Sequence, residues 1–175
     1  MNIKKNLCVI AAAVLAAVSL SACNQDATAP NGYITASGEA AGYHFYVPKD
    51  WTVDLSTGAT SAYCSPEDPS SVSVMKWELP SSDTTLEDWW NMNMEDIEMV
   101  FRDVEIVSEA DTTVDGAYAK TYVYNASLGE FNYTIQQTAA IRDYQIYLFT
   151  YTSTADNFAA HEEEVAQMLQ YFTFD

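Results

Sequence analysis

Covalent, acid–base or metal chemistry in this 175-residue chain has few side chains to start from: three cysteines and two histidines. Nucleophilic catalysis needs a base turned toward a serine or cysteine. Cys64 or a serine, paired with His44 or His161, would supply a hydrolase, but no Gly-x-Ser-x-Gly elbow is present. Phosphate-cradling loops of the Gly-x-x-x-x-Gly-Lys and Gly-x-Gly-x-x-Gly kinds are missing as well. His44 lies between Tyr43 and Phe45 in a β-rich run, where a structural role is expected. His161 precedes Glu162-Glu163-Glu164. Helical metal ligands sit three or four residues apart, so His161 with Glu164 offers one such pair, without the His-Glu-x-x-His spacing of zinc proteases. A solvated charged face is the expectation there, and Cys64 is expected to serve as a small apolar core residue. Adjacent acids such as Glu67-Asp68, Glu87-Asp88 and Glu95-Asp96 carry no information about glycosidase chemistry in so acidic a chain. Without an EF-hand loop, they suggest diffuse cation association rather than a calcium site. No catalytic residue, metal ligand or cofactor is therefore assigned.

The remaining reactive residue, Cys23, stands in a different context. Met1-Asn2-Ile3-Lys4-Lys5 is basic, Leu7 to Leu20 is apolar, and Leu20-Ser21-Ala22-Cys23 closes the run on small residues. From Leu7 to Ala22 is 16 residues, short of the roughly 20 that a membrane-spanning helix needs. The pattern reads as a secretory signal over residues 1–22. Its exit resembles the lipobox of bacterial lipoproteins. That resemblance implies acylation (palmitate or a similar chain) of the Cys23 sulfur, removal of the preceding peptide, and a lipid anchor in the cell membrane on its extracytoplasmic face. Two or more acyl chains would hold such a protein stably. Residues 23–41 read as the lipidated cysteine and a flexible tether. The Asn-, Ala-, Thr- and Pro-rich part, Asn24 to Gly32, would reach roughly 30 Å if extended.

Removing residues 1–22 leaves 153 residues, enough for one domain with a real core. Five basic residues then face 25 acidic ones, a formal charge near −20. Such a surface repels nucleic acid and anionic headgroups, so no nucleic-acid partner is expected. Twelve Tyr, seven Phe and four Trp supply the apolar area that a disordered acidic chain lacks. Cys8 leaves with the signal and Cys23 carries lipid, so Cys64 has no disulfide partner within the chain.

The elements that must position these residues follow from periodicity. Tyr43 to Val47 is β-rich, Trp51, Val53 and Leu55 alternate with polar residues, and Ser71 to Trp77 alternates again after the turn cluster Ser65 to Ser70. Thr84 with Glu87 matches a capping box. Leu86, Trp90, Met94, Ile97 and Phe101 then share one helical face, widened by Trp89 and Val100. A strand is expected at Val104 to Val107. Asp115-Gly116 is a hairpin-type turn, and Leu128-Gly129 and Arg142-Asp143 then join three long alternating strands into a meander. In the last strand Ile146 and Leu148 oppose Tyr147, Phe149 and Tyr151, so both its faces should be covered. Thr154 or Asp156 can cap a final helix whose stripe is Phe158, Val165, Leu169 and Phe172. Thr173-Phe174 can add an edge strand.

This order of elements, with Phe45-Tyr46-Val47-Pro48-Lys49-Asp50-Trp51 at its start and Tyr171-Phe172-Thr173-Phe174 at its end, resembles the PsbP/Mog1-like superfamily over residues 42–175. The resemblance implies an α+β fold: an α/β/α sandwich with a central, mostly antiparallel sheet and two main helices. It also implies non-catalytic roles in assembly or protein binding. Six aromatics, Trp77, Tyr118, Tyr122, Tyr124, Tyr147 and Tyr151, are the candidate ligand or partner surface, or else pack beneath the two helices.

Taken together, the expectation is a membrane-anchored, extracytoplasmic lipoprotein with a non-catalytic binding or assembly role at the cell envelope and an envelope protein as partner. A glycan- or cation-binding module is the alternative, and a hydrolase ranks below both.

Overall fold

The computed structural model describes residues 28–56 and 59–175. Its strands are β1 (Tyr33–Thr35), β2 (Tyr43–His44), β3 (Tyr46–Pro48), β4 (Thr52–Asp54), β5 (Thr60–Tyr63), β6 (Ser71–Glu78), β7 (Arg102–Val114), β8 (Ala117–Leu128), β9 (Phe131–Arg142), β10 (Gln145–Thr154) and β11 (Thr173–Phe174). Helix α1 (Leu86–Val100) stands between β6 and β7. A 3₁₀ turn at Phe158–Ala160 and helix α2 (Glu162–Tyr171) stand between β10 and β11. Seven strands form one antiparallel sheet in the order β4-β5-β6-β10-β9-β8-β7, and β1-β3 and β11-β2 form two small ribbons. The fold is α+β, a large antiparallel sheet with two helices.

Strand alternation sends successive side chains to opposite faces, and here both faces are apolar. From β10, Ile146 and Leu148 enter a core with Leu86, Trp90 and Ile97 of α1. Tyr147, Phe149 and Tyr151 enter a second core with Val165 and Met168 of α2 and with Phe45 and Val47 near the ribbons. This confirms the two-sided reading of that strand. On β8, Tyr122 and Tyr124 go to the α1 core while Ala119 goes to the α2 core. Trp90 stacks flat on Tyr122, ring centroids 3.6 Å apart.

Several expectations shift. The α1 capping box is built one residue later: Asp88 N–H donates to Thr85 Oγ1 and Thr85 N–H to Asp88, both at 3.1 Å. Val100 is 60 % exposed and does not widen the buried stripe. Asp115-Gly116 turns β7 into β8 with φ of 46° and 75°, as the hairpin signal requires. The next two hairpins each turn one residue later than expected, at Gly129-Glu130 because Leu128 still pairs with Phe131, and at Asp143-Tyr144 (φ 50° and 61°) because Arg142 still pairs with Gln145. Strand β7 runs for 13 residues rather than four. Strand β5 is an addition whose inward residues are only Thr60 and Ala62. Pairing begins at Tyr33, ahead of the expected boundary at Gly42. Ala36 is 1 % exposed and its N–H bonds to Phe45 O at 2.8 Å, so the folded body takes in part of the expected tether. Helix α2 has His161 at its N-cap position, without a side-chain cap from Thr154 or Asp156.

Candidate functional site

The connection from β5 to β6 is a compact loop. Cys64 N–H bonds to Ser70 O at 2.8 Å and Ser65 N–H to Asp68 O at 3.0 Å, while Asp68 N–H donates to Ser65 Oγ at 3.1 Å. Pro66 and Pro69 fix φ on either side of Asp68. Short polar side chains that bond their own backbone favour such turns. Here Asp68 Oδ1 accepts from Ser70 N–H (3.0 Å) and Ser70 Oγ (2.6 Å). The Ser70 hydroxyl also meets Ser153 Oγ of β10 at 2.7 Å, which ties the loop to the sheet.

The second oxygen, Asp68 Oδ2, lies 2.9 Å from His161 Nε2. Nδ1 of the same ring lies 2.7 Å from Glu164 Oε2, one helical turn into α2. The imidazole is 13 % exposed, and the buried Trp51 meets it edge to face with centroids 5.5 Å apart. Cys64 completes the group: its Sγ, an Asp68 carboxylate oxygen and a His161 nitrogen all lie within 4.8 Å of one another.

Both neighbours of the imidazole are carboxylates, which only accept hydrogen bonds when ionised. The form of His161 that satisfies both is the imidazolium, with two N–H donors. Burial alone would lower its pKa, but the hydrogen bonds to Asp68 and Glu164 and their charges outweigh burial, and the pKa rises above 6.5. Asp68 moves the other way. Burial opposes its charge, yet hydrogen bonds from Ser70, His161 and Asn157 hold the carboxyl well below the usual range. Burial and the charges of Asp68, Glu164 and Asp50 push the Cys64 thiol up.

This arrangement brings a cysteine and a histidine together but does not make a nucleophile. A Cys–His catalytic pair leaves one imidazole nitrogen for the thiol and depresses the thiol pKa. Here both nitrogens are engaged by carboxylates and the thiol is held protonated. His161 is also not on a solvated face, contrary to expectation, because the β5–β6 loop folds over it. Cys64 is half-buried and lies at the rim of the α2 core. His44, in β2, is elsewhere, with Nε2 3.2 Å from Asp175 Oδ1.

The six aromatics do not form one surface. Tyr122 and Tyr124 are 2 % and 1 % exposed in the α1 core. Tyr147 and Tyr151 are 8 % and 0 % exposed in the α2 core, on the opposite face of the sheet. Only Trp77 and Tyr118 remain exposed. Trp77 sits beside Trp89, and the Tyr118 hydroxyl donates to Asp111 Oδ1 at 2.8 Å. Alternation places a tyrosine on a face, but the helix above decides whether that face is wet. Cys23 lies outside the described residues.

The Asp68–His161 contact spans 93 residues, and only its local half, His161 with Glu164, is visible as a spacing in the sequence. Two proline-flanked acids in a turn gave no signal that one of them reaches a helix start so far along the chain.

No family model matches this chain, and no curated protein matches it. Solved structures do. The cyanobacterial PsbP protein CyanoP from Synechocystis is similar at 18 % identity, with 89 % of this chain and 99 % of that chain covered and a TM-score of 0.60. LpqN from Mycobacterium tuberculosis, involved in cell envelope biogenesis, is similar at 13 % identity, with 81 % and 89 % covered and a TM-score of 0.63. PA94 from Pseudomonas aeruginosa, a protein of unknown function, is similar at 15 % identity, with 79 % and 94 % covered and a TM-score of 0.57. At these identities the likeness establishes the fold, which is PsbP-like.

Proposed function

We propose that this chain is a lipid-anchored protein of the cell envelope, held on the extracytoplasmic face through Cys23, whose folded domain works by binding another protein and not by catalysis. The lipobox-like stretch Leu20-Ser21-Ala22-Cys23 supports the anchor. Residues 1–22 act as the signal and Asn24 to Gly32 as the tether. Among the described residues no helix is long and apolar enough to cross a membrane. The fold shared with LpqN, a protein involved in cell envelope biogenesis, supports the compartment.

The observation that carries the binding reading is strand β7. It closes the seven-stranded sheet with 13 residues, and Ile106 and Val107 stand 45 % and 57 % exposed. An edge strand offers a row of backbone N–H and C=O groups to an incoming segment, which can add as a further strand. Asp103, Glu105, Glu109 and Asp111 lie along it, with Arg102 at its start and Lys120 of β8 paired to Glu109. Like charges and two register shifts, between Arg102 and Glu105 and between Ile106 and Ser108, disfavour pairing with a second copy. The same acids favour an extended segment rich in Lys and Arg. The partner is therefore an envelope protein with a basic segment.

Two measurements test this. Metabolic palmitate labelling should mark the wild type and not Cys23→Ala, and the variant should leave the membrane fraction. An unmarked wild type refutes the anchor. Capture from detergent-solubilised membranes should recover one partner with the wild type and lose it with Ile106→Lys/Val107→Lys. Equal recovery by both refutes the β7 surface.

A further inference from the structure

Cys64, Asp68 and His161 come from three places, the end of β5, the β5–β6 turn and the start of α2, and they converge in one half-buried spot. We propose that they form a binding site for a single divalent transition-metal ion, zinc above all.

The donor set decides the class of ion. One sulfur, one imidazole nitrogen and one carboxylate oxygen suit zinc, whereas calcium and magnesium take oxygen ligands throughout. The geometry is within reach. Bonds of about 2.0–2.3 Å around a tetrahedral zinc put its ligand atoms roughly 3.3–3.8 Å apart. The three donor atoms lie within 4.8 Å of one another, with His161 Nε2 and Asp68 Oδ2 at 2.9 Å. One donor pair must open slightly and the others close by about 1 Å, a side-chain adjustment.

Glu164 is the independent observation that points to a ligand. A metal-binding histidine characteristically donates its other ring N–H to a carboxylate, which fixes the tautomer and aims the free nitrogen. Glu164 Oε2 sits 2.7 Å from His161 Nδ1, so Nε2 is aimed at Asp68 and the space beside Cys64. Trp51 backs the ring. Asp68 in turn is held by Ser70 through its other oxygen, which leaves Oδ2 for the ion.

The charge balances. On binding, the proton of the Cys64 thiol and the proton on His161 Nε2 pass to solvent. The thiolate, the neutral imidazole nitrogen and the Asp68 carboxylate then each donate a pair to the ion. The dication meets two negative ligands, in the place where the His161 imidazolium stands between Asp68 and Glu164 before the ion binds. Three protein ligands leave a tetrahedral ion one position for water.

The test uses the full-length chain with Cys8→Ala and Cys23→Ala, so that Cys64 is the only thiol, stripped with a chelator and held in millimolar calcium to occupy surface carboxylates. Titration with cobalt should give one bound ion per chain and a thiolate-to-cobalt charge-transfer band, which one equivalent of zinc abolishes. Cys64→Ser should remove the band and weaken zinc. His161→Gln should weaken zinc more than Glu164→Gln, for which about a 10–100-fold loss is expected with the band retained. Near-ultraviolet circular dichroism of the buried aromatics confirms that each variant is folded. Absence of the band in the parent, or equal zinc affinity across Cys64→Ser, His161→Gln and Glu164→Gln, overturns the site and leaves only adventitious binding by surface acids.

Discussion

The two faces of the central sheet are built from the same strands yet hold different kinds of core. Beneath α1, Trp90 lies flat on Tyr122, and among the described residues the one buried polar side chain there is Gln137. Beneath α2 lie the other buried polar residues, Thr60, Ser70, Thr138 and Ser153, with the Asp68–His161–Glu164 group at the rim. Strand alternation explains how one strand serves both cores, since Gln137 and Thr138 are neighbours in β9 and point opposite ways. The lesson is a division of labour. The α1 face holds the sheet by packing, which is indifferent to pH and ions. The α2 face spends part of its area on hydrogen-bonded and charged groups, which respond to both.

The largest expected effect is on the packed face. Trp90→Ala removes a 7 % exposed indole and its stack on Tyr122. It should cost about 3–5 kcal/mol, or roughly 10 °C in Tm for a domain of this size. The shift should be the same at every pH between 5 and 8. A pH-dependent loss would break the contrast between the faces.

Next comes the charged rim, measured with chelator present. Asp68→Asn keeps the shape but removes the charge that His161 faces, and should cost about 2 kcal/mol, as for a hydrogen bond to a charged group. Its pH profile carries more information than its size. His161 has a folded pKa above 6.5, so its contribution is complete below 6.5 and disappears as pH rises through the folded value. Asp68 has a folded pKa below 3.8, so its contribution is complete above 3.8 and disappears as acid takes pH down through the folded value. Both are present between those limits. Wild-type stability should therefore decline from pH 6 to pH 8, a window in which ordinary carboxylates have finished titrating. His161→Gln should flatten the decline and Trp90→Ala should leave it unchanged. Urea midpoints across that range, with unchanged slope, settle the matter.

The packed face was the legible one. Leu86, Trp90 and Ile97 repeat at helical spacing, and Asp115-Gly116 marks the β7–β8 hairpin that both faces share, because apolar periodicity and turn chemistry are local signals. Strand β10 could be seen as covered on both sides for the same reason. The polar face was harder to read. Strand β5 turns only Thr60 and Ala62 inward, too little apolar bulk to register as a pattern. Most of β7 is exposed, so its register comes from pairing with β8 rather than from its own side chains. The Asp68–His161 contact depends on where the β5–β6 loop lands after the sheet has formed, and no spacing within the chain encodes that.

The smallest predicted effect isolates polarity from position, using the adjacent residues Gln137 and Thr138. Gln137 accepts from Asn93 Nδ2 at 3.1 Å and donates to Thr150 Oγ1 at 3.4 Å; both partners are half-buried, Asn93 on the sheet-facing stripe of α1 with Trp90 and Ile97. In Gln137→Leu the half-buried Asn93 and Thr150 can turn to water while the new side chain adds apolar area to the α1 core, so stability should stay within about 0.5 kcal/mol of wild type. Thr138 bonds Thr121 across the strands at 2.8 Å, beneath α2. In Thr138→Val the volume is kept but Thr121 loses its hydroxyl partner in a half-buried site, at a cost of about 1 kcal/mol. Thr121→Val/Thr138→Val should recover most of that loss, since removing both partners strands neither. Were Gln137→Leu the more damaging of the two, the α1 face would depend on its polar contact as the α2 face does, and the distinction between a packed side and a polar side would fail at the closest pair of positions able to test it.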